Sequence, residues 1–229
     1  MCIRDRIIIP LDLEYSEAIH MAKNLDTNLC RLKIGSQLFT SSGPQIIKEL
    51  NSLGFDIFLD LKFHDIPNTV YEAVKSAADL GIWMVNVHAS GGRAMLEASK
   101  KALEGFDQPP LLIAVTVLTS LSEDSLSEVG IKNLSEQVLR LAELTNECDL
   151  NGVVCASTDV QAIKNRFGKD FITVTPGIRP NDSKVNDQNR ISTPSEAVKN
   201  GSDYLVIGRP ITGSENPTKA LEEINKEIL

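Results

Sequence analysis

The sequence predicts an α/β fold, a (β/α)8 TIM barrel in a single domain, on two observations. Short runs of aliphatic and β-branched residues alternate eight times with segments of helical periodicity. The length of 229 residues is close to the roughly 250 residues of a typical barrel of this kind. A doubly wound open sheet shows the same alternation, but eight units without a surplus segment for a second domain favour closure into a barrel.

The predicted elements occupy the chain from residue 7 onward. The strands are 7–13, 30–35, 56–62, 83–88, 111–117, 152–155, 171–175 and 204–208. The helices are 16–25, 44–53, 69–80, 93–103, 134–147, 160–167, 195–200 and 217–228. We expect one domain over residues 1–229, with residues 1–6 as extra N-terminal residues without a clear structural role.

Composition and charge exclude several classes of protein. With 42% hydrophobic and 24% charged residues, the chain has an ordinary globular composition. No apolar run approaches the roughly 20 residues of a membrane span, so we expect a cytoplasmic protein. The net charge of -8 argues against a nucleic-acid surface. A small anionic ligand remains compatible with it, because such a ligand needs only a local group of cations.

The cysteines and histidines give no sign of a metal site. The four cysteines have no CxxC spacing, so neither a disulfide framework nor a zinc site is indicated. The three histidines form no HxH or HExxH motif. We interpret His64 and His88, which follow or end predicted strands, as packing or hydrogen-bonding residues rather than catalytic ones.

Polar residues gather where the predicted strands end, which is the end at which barrel enzymes carry their chemistry. They are Asp12, Lys33, Asp60, Lys62, His88 and Thr119. Residues 176–193 also form a connection much longer than the few residues that a minimal loop needs. The sequence therefore predicts a ligand site at this end of the barrel.

Asp60, Lys62 and Asp65 form the most informative cluster. Asp60 and Lys62 are two apart on a strand, so their side chains project to the same face, toward the barrel mouth. A lysine between Asp60 and Asp65 stays protonated and can serve as a proton source, and Lys33 could extend the network. A simple salt-bridge cluster is the alternative, but the alternation of charges at a strand end favours a catalytic role.

Residues 60–69 read Asp-x-Lys-x-x-Asp-Ile-Pro-Asn-Thr, and this motif resembles that of the orotidine 5'-phosphate decarboxylase family. Supporting segments similar to the bacterial members follow in the expected order. They are residues 11–12, 32–35, 87–92, 117–120, 175–180 and 206–210. The resemblance implies decarboxylation of orotidine 5'-phosphate to UMP in pyrimidine biosynthesis, with no cofactor and no metal.

The resemblance also implies roles for the residues of the motif. Lys62 would deliver a proton to C6 of the pyrimidine as CO2 departs, and Asp60 would lie beside the substrate carboxylate. Asp65 and Thr69 would enter the site of a neighbouring subunit, which implies a homodimer with shared sites.

Further residues would bind the remaining parts of the nucleotide. The resemblance implies that Asp12 and Lys33 contact the ribose hydroxyls and that Thr119 recognises the base. The phosphate would be bound by Arg179, Gln188, Gly208 and Arg209. Independent support comes from the fold, because barrels often bind phosphate with the loops after strands seven and eight. Residues 181–188 would then close over the substrate.

Two other functions remain open. A related sugar-phosphate decarboxylase or aldolase shares an Asp-x-Lys-x-x-Asp core but works with magnesium. A non-catalytic nucleotide-binding barrel would keep only the phosphate site. Pro10, where many relatives carry a small residue, and the loop 181–187 depart from the family pattern.

Overall fold

Eight parallel strands close into a barrel within residues 6–121, 123–180 and 191–228, the part of the chain that the computed structural model describes. The strands are β1 (Ile7–Pro10), β2 (Arg31–Gly35), β3 (Ile57–Phe63), β4 (Met84–His88), β5 (Leu111–Val115), β6 (Gly152–Val154), β7 (Ile172–Thr175) and β8 (Tyr204–Val206). Each strand pairs with the next, and β8 pairs with β1, for example Ile8 with Val206. The predicted barrel is confirmed, and the open sheet is excluded.

Helices connect the strands. They are α1 (Tyr15–Lys23), α2 (Ser36–Ser42), α3 (Gln45–Ser52), α4 (Pro67–Ala78), α5 (Arg93–Lys101), α6 (Glu123–Glu128), α7 (Leu134–Glu147), α8 (Val160–Phe167), α9 (Pro194–Lys199), α10 (Arg209–Thr212) and α11 (Pro217–Glu227). Each of the eight predicted helices corresponds to an observed helix, and both of its ends lie within two residues of the observed ends. The observed counterparts are α1, α3–α5, α7–α9 and α11. The sequence did not predict α2, α6 and α10, which have 7, 6 and 4 residues and are too short to show a helical period.

Local sequence fixes where several of these helices begin. The side chain of Asn133 accepts a hydrogen bond from the third residue of α7, and Thr193 and Glu196 form a reciprocal capping box at α9. In α4 the first residue is Pro67, which has no N–H and needs no partner for it. The chain therefore leaves β3 and enters α4 within a few residues, which places residues 64–66 at the barrel mouth.

The barrel interior is apolar and is closed at the N-terminal end of the strands. Its buried cluster consists of Ile8, Phe58, Met84, Ile113, Val174, Tyr204 and Val206. At the base the guanidinium of Arg31 lies 4.3 Å from the ring centroid of Trp83 and pairs with Asp56 at 3.1 Å. Because this end is filled, open space for a ligand lies at the C-terminal ends of the strands.

Arg6, which the sequence analysis grouped with the extra N-terminal residues, contacts the barrel. Its carbonyl accepts the N–H of Leu205, and its guanidinium donates to the carbonyl of Ser202 at 3.3 Å. Residues 1–5 lie outside the described part of the chain. No described helix is long and apolar enough to cross a membrane. The assignment of all of residues 1–229 to one domain stays a prediction.

Candidate active site

A cavity of about 480 Å³ opens at the C-terminal ends of the strands. Its volume lies in the range of small-molecule sites. Eight of the predicted site residues line it: Asp12, Lys33, Asp60, Lys62, Thr119, Arg179, Gly208 and Arg209. Apolar residues from five strands complete the wall: Phe58, Val115, Val154, Val174 and Val206. The fold therefore brings these widely separated positions together around one space.

The centre of the site is the carboxylate of Asp60, which binds two lysines. Its Oδ1 lies 2.7 Å from Nζ of Lys62, and its Oδ2 lies 3.0 Å from Nζ of Lys33. The Asp60 residue is 7% exposed, whereas 35% of the Lys62 side chain is exposed. Lys62 thus contacts the buried carboxylate of Asp60 and also lines the open cavity, where its ammonium is accessible to a ligand.

The electrostatic surroundings keep Asp60 ionised. Burial alone would raise the pKa of this carboxyl, because a low dielectric disfavours charge. The charges of Lys33 and Lys62, together with hydrogen bonds from Lys62 and Asn86, outweigh burial, and the pKa is lowered from its ordinary value. Asp60 is therefore an anion at neutral pH.

Asp12 extends the charge network toward solvent. Its Oδ1 lies 3.6 Å from Nζ of Lys33, and its side chain is more than half exposed. A Cβ atom on Gly35 would lie 3.2 Å from this ammonium and 3.3 Å from the Asp12 carboxylate. The absence of a side chain at position 35 leaves room for Lys33 to bridge Asp12 and Asp60.

The backbone of β3 is irregular at Lys62. The pairing register between β3 and β4 shifts between Leu59 and Phe63, and Lys62 has a φ of 53°. Strand alternation predicted correctly that Asp60 and Lys62 lie on one side, but the backbone between them is not a regular strand. A positive φ is uncommon for a residue with a side chain and marks a local constraint.

Two arginines follow the last strands of the barrel. Arg179 comes after β7, is half-buried, and donates from Nη1 to the carbonyl of Ile178 at 2.9 Å. Arg209 follows β8 and begins α10. Among the described residues that line the cavity, four are cations (Lys33, Lys62, Arg179 and Arg209) and two are anions (Asp12 and Asp60). These described residues therefore give the cavity wall a cationic excess that suits an anionic ligand.

Two predicted site residues do not line this cavity within one chain. Asp65 and Thr69 are exposed, and Asp65 accepts the N–H of Ile66 at 2.6 Å. None of the ion pairs found in the described part of the chain joins Asp65 to Lys62. Gln188 lies outside the described residues, as does the predicted closing loop 181–188.

The two histidines near the mouth lie beside the charge cluster but do not line the cavity. The rings of His64 and His88 are tilted, with centroids 5.4 Å apart. Burial lowers the pKa of His88, and the charges of His64 and Lys62 lower it further against an opposing effect of Asp60. His88 is therefore neutral at pH 7. Among residues 6–121, 123–180 and 191–228, no three His, Cys, Asp or Glu residues are grouped to hold a metal ion.

Asn86, which is fully buried on β4, was not among the predicted site residues. Its Nδ2 donates to Oδ1 of Asp60 at 2.7 Å, and its Oδ1 accepts the N–H of Lys62 at 2.8 Å. A signal was present, because Asn86 is the one polar residue between Met84 and Val87 in an otherwise apolar stretch. Ser120 and Thr212, which also line the cavity, had no comparable signal.

Gly208, which follows β8, lies close to the ring of Pro10 at the end of β1. A Cβ atom on Gly208 would lie 3.0 Å from Cγ of Pro10, and a proline ring has little freedom to move away. We expect Gly208→Ala to lower the free energy of unfolding by about 1–3 kcal/mol through overpacking. Denaturation in urea measures this loss.

The double variant Pro10→Ala, Gly208→Ala is the control. Removing the proline ring vacates the space, so it should recover part of the stability lost by Gly208→Ala, relative to Pro10→Ala alone. Strictly additive losses in this double-mutant cycle would contradict the predicted clash.

The comparisons with known proteins agree with the motif. The family model described as "Orotidine 5'-phosphate decarboxylase / HUMPS family" matches residues 5–224. A protein from Saccharophagus degradans named orotidine 5'-phosphate decarboxylase is 53% identical over 225 residues, which cover 97% of this chain and 94% of that protein. A protein of the same name from Chromobacterium violaceum is 54% identical, with 97% of this chain and 91% of that protein covered.

A solved structure agrees as well. The crystal structure of orotidine 5'-phosphate decarboxylase from Lactobacillus acidophilus superposes with a TM-score of 0.85 at 39% identity, and covers 97% of this chain and 98% of that one. The family predicted from residues 60–69 is confirmed, and with it the predicted class of enzyme, a decarboxylase. The chain belongs to the orotidine 5'-phosphate decarboxylase / HUMPS family.

Proposed function

We propose that this chain decarboxylates orotidine 5'-phosphate to UMP and CO2 in pyrimidine biosynthesis. The observation that carries the proposal is the Lys62 ammonium, which contacts a buried carboxylate at 2.7 Å and faces a cavity with two arginines. A proton donor and cations for a phosphate thus line one space. The names of the relatives and the family match support the same reaction.

Lys62 supplies the proton in this reaction. The bond between C6 of the pyrimidine and its carboxylate breaks, CO2 leaves, and the electron pair stays on C6. An N–H of the Lys62 ammonium gives its proton to C6, and the neutral amine regains a proton from solvent. The ammonium also stabilises negative charge that develops at C6 only in the transition state.

Asp60 has two roles in the proposal. Its carboxylate holds Lys62 and Lys33 in place through contacts of 2.7 and 3.0 Å. Because it is buried and ionised, it also repels a substrate carboxylate placed beside it. The departure of CO2 removes that repulsion, which adds to the stabilisation of C6 by Lys62.

The remaining cavity residues bind the other parts of the nucleotide. Asp12 and Lys33 contact the ribose hydroxyls, and Thr119 recognises the base. Arg179 and Arg209 bind the phosphate, because a guanidinium fork matches phosphate oxygens, and the backbone at Gly208 approaches it closely. Gln188 and the closing loop 181–188 stay predictions, as does the cytoplasmic location.

We further propose a homodimer in which Asp65 and Thr69 complete the site of the neighbouring chain. Both residues are exposed at the barrel mouth and lie outside their own cavity. Between them Ile66 is 67% exposed, although isoleucine is among the residue types most often buried. A partner covering residues 64–69 would bury this isoleucine and bring a second carboxylate to Lys62.

The first test is decarboxylation of orotidine 5'-phosphate by purified protein in EDTA, followed by ultraviolet absorbance, with UMP identified by chromatography. Lys62→Ala should lower kcat by about 10³-fold or more, because it removes the proton donor. Lys48→Ala, which removes an exposed lysine on α3, is the matched control and should keep native activity.

Two results would overturn the proposal. Activity that requires Mg2+ and acts on a sugar phosphate instead would identify the related magnesium-dependent class. Binding of UMP without any turnover by the native chain would identify a non-catalytic binder.

The shared site is tested by mixing two inactive variants, Lys62→Ala and Asp65→Ala, and allowing their subunits to exchange. Random pairing makes about half of the dimers mixed, and each mixed dimer has one unaltered site, so about one quarter of native activity should return. Lys62→Ala mixed with Asp60→Ala is the control. These two residues contact each other within one chain, so no activity should return. Equal recovery in both mixtures, or in neither, would refute shared sites.

A further inference from the structure

Asn86 connects the reactive lysine to the carboxylate that holds it. Its side-chain amide is fully buried, with its donor on Oδ1 of Asp60 at 2.7 Å and its acceptor on the backbone N–H of Lys62 at 2.8 Å. The same Oδ1 of Asp60 accepts the ammonium of Lys62 at 2.7 Å. One amide therefore fixes both the backbone of Lys62 and the acceptor of its ammonium.

The backbone of Lys62 needs such a partner. Within the described ranges, only Lys62 and Asp149 combine a positive φ with a side chain. At 53° the φ of Lys62 lies in the left-handed region, which is strained for a residue with a side chain and persists only where its surroundings enforce it. The register shift between Leu59 and Phe63 interrupts regular pairing with β4 at this point. The Asn86 side chain accepts the Lys62 N–H there.

We propose that Asn86 is a positioning residue for the reaction, acting on Lys62 from the neighbouring strand. It holds the irregular β3 backbone so that the Lys62 ammonium meets both the Asp60 carboxylate and the cavity. Asn86 does not line the cavity, so it acts through Lys62 and Asp60 rather than on the substrate. This inference rests on the function proposed above.

An asparagine suits this position better than other side chains of its size. Its planar amide carries an NH2 donor group and a carbonyl acceptor on the same carbon, which matches a carboxylate and an N–H. It is neutral, so it adds no charge to the cluster of Lys33, Asp60 and Lys62. A leucine side chain has the same number of heavy atoms in the same branching pattern but neither hydrogen-bonding group, so Asn86→Leu removes the hydrogen bonds while keeping an apolar side chain of similar shape in the site.

The test compares Asn86→Leu with native protein in the decarboxylation assay. We expect kcat to fall by about 10²-fold, the effect of a displacement of roughly 1 Å at a reacting group. KM and the affinity for UMP should change by less than about threefold, because Asn86 touches no ligand. A native kcat, or a loss confined to KM, would overturn the inference.

Thr173→Val is the matched control. Thr173 is fully buried on β7, and its hydroxyl donates to Asp203 at 3.0 Å, away from the cavity. This variant also replaces a buried polar group by an apolar one of equal size. It should lower the melting temperature without changing kcat, whereas an equal loss of kcat in both variants would show a merely structural effect.

Asn86→Asp keeps the inference testable if Asn86→Leu does not fold. In this variant the new carboxyl at position 86 lies against that of Asp60, and the two share a proton. While it is protonated, the new carboxyl can still donate a hydrogen bond to Asp60 and accept the N–H of Lys62. As pH rises and the pair ionises fully, repulsion displaces Asp60. The charged and titratable groups around the Asp60 carboxylate are Lys62 on β3, Lys33 on β2 and His88 at the end of β4.

The readout is the pH dependence of kcat. Because Lys62, Lys33 and His88 are present in both proteins, the ratio of variant to native kcat isolates the new carboxyl. That ratio should fall as pH rises. A ratio near 1 at every pH would overturn the inference. If the native chain itself shows no decarboxylation, the proposed function fails, whereas a fully active Asn86→Leu refutes only the role of Asn86.

Discussion

The site depends on one buried negative charge, the carboxylate of Asp60. An ionised carboxylate inside a barrel is costly unless it is paired and hydrogen-bonded. Here Lys33, Lys62 and Asn86 contact it at 3.0, 2.7 and 2.7 Å. Each contact comes from a different position on β2, β3 or β4, so satisfying this charge requires that the three strands keep their register. The same requirement fixes the ammonium of Lys62 at the cavity.

The two ends of the barrel differ: one is packed with side chains, and the other holds the cavity. At the N-terminal end of the strands, Arg31, Trp83 and apolar side chains fill the interior. At the other end the chain places four cations around a cavity of about 480 Å³, although its net charge is -8. A local cationic field within an acidic molecule attracts a small anion, which agrees with a nucleoside monophosphate as substrate.

Periodicity was sufficient to predict the eight strands and eight of the helices, because each buries an apolar face. It could not predict the irregular backbone at Lys62 or the contact of Asn86, since both depend on the register between β3 and β4. The family motif predicted Asp65 and Thr69 as site residues; both are exposed in the single chain, and their role in a neighbouring site stays a proposal. Gln188 stays a prediction outside the described residues.

The most direct measurement is a carbon-13 NMR titration of the Asp60 carboxyl, with Asp60→Asn to assign its signal. We expect a pKa of Asp60 below the ordinary value of 3.8, because the two lysines and the hydrogen bonds outweigh burial. The ionised Asp60 then contributes to the free energy of unfolding at every pH above its pKa in the unfolded chain. This contribution is lost only as pH falls through its lower pKa in the folded chain. A carboxyl that is less than half protonated at pH 3.8 supports the account. A midpoint at or above 3.8 would contradict it.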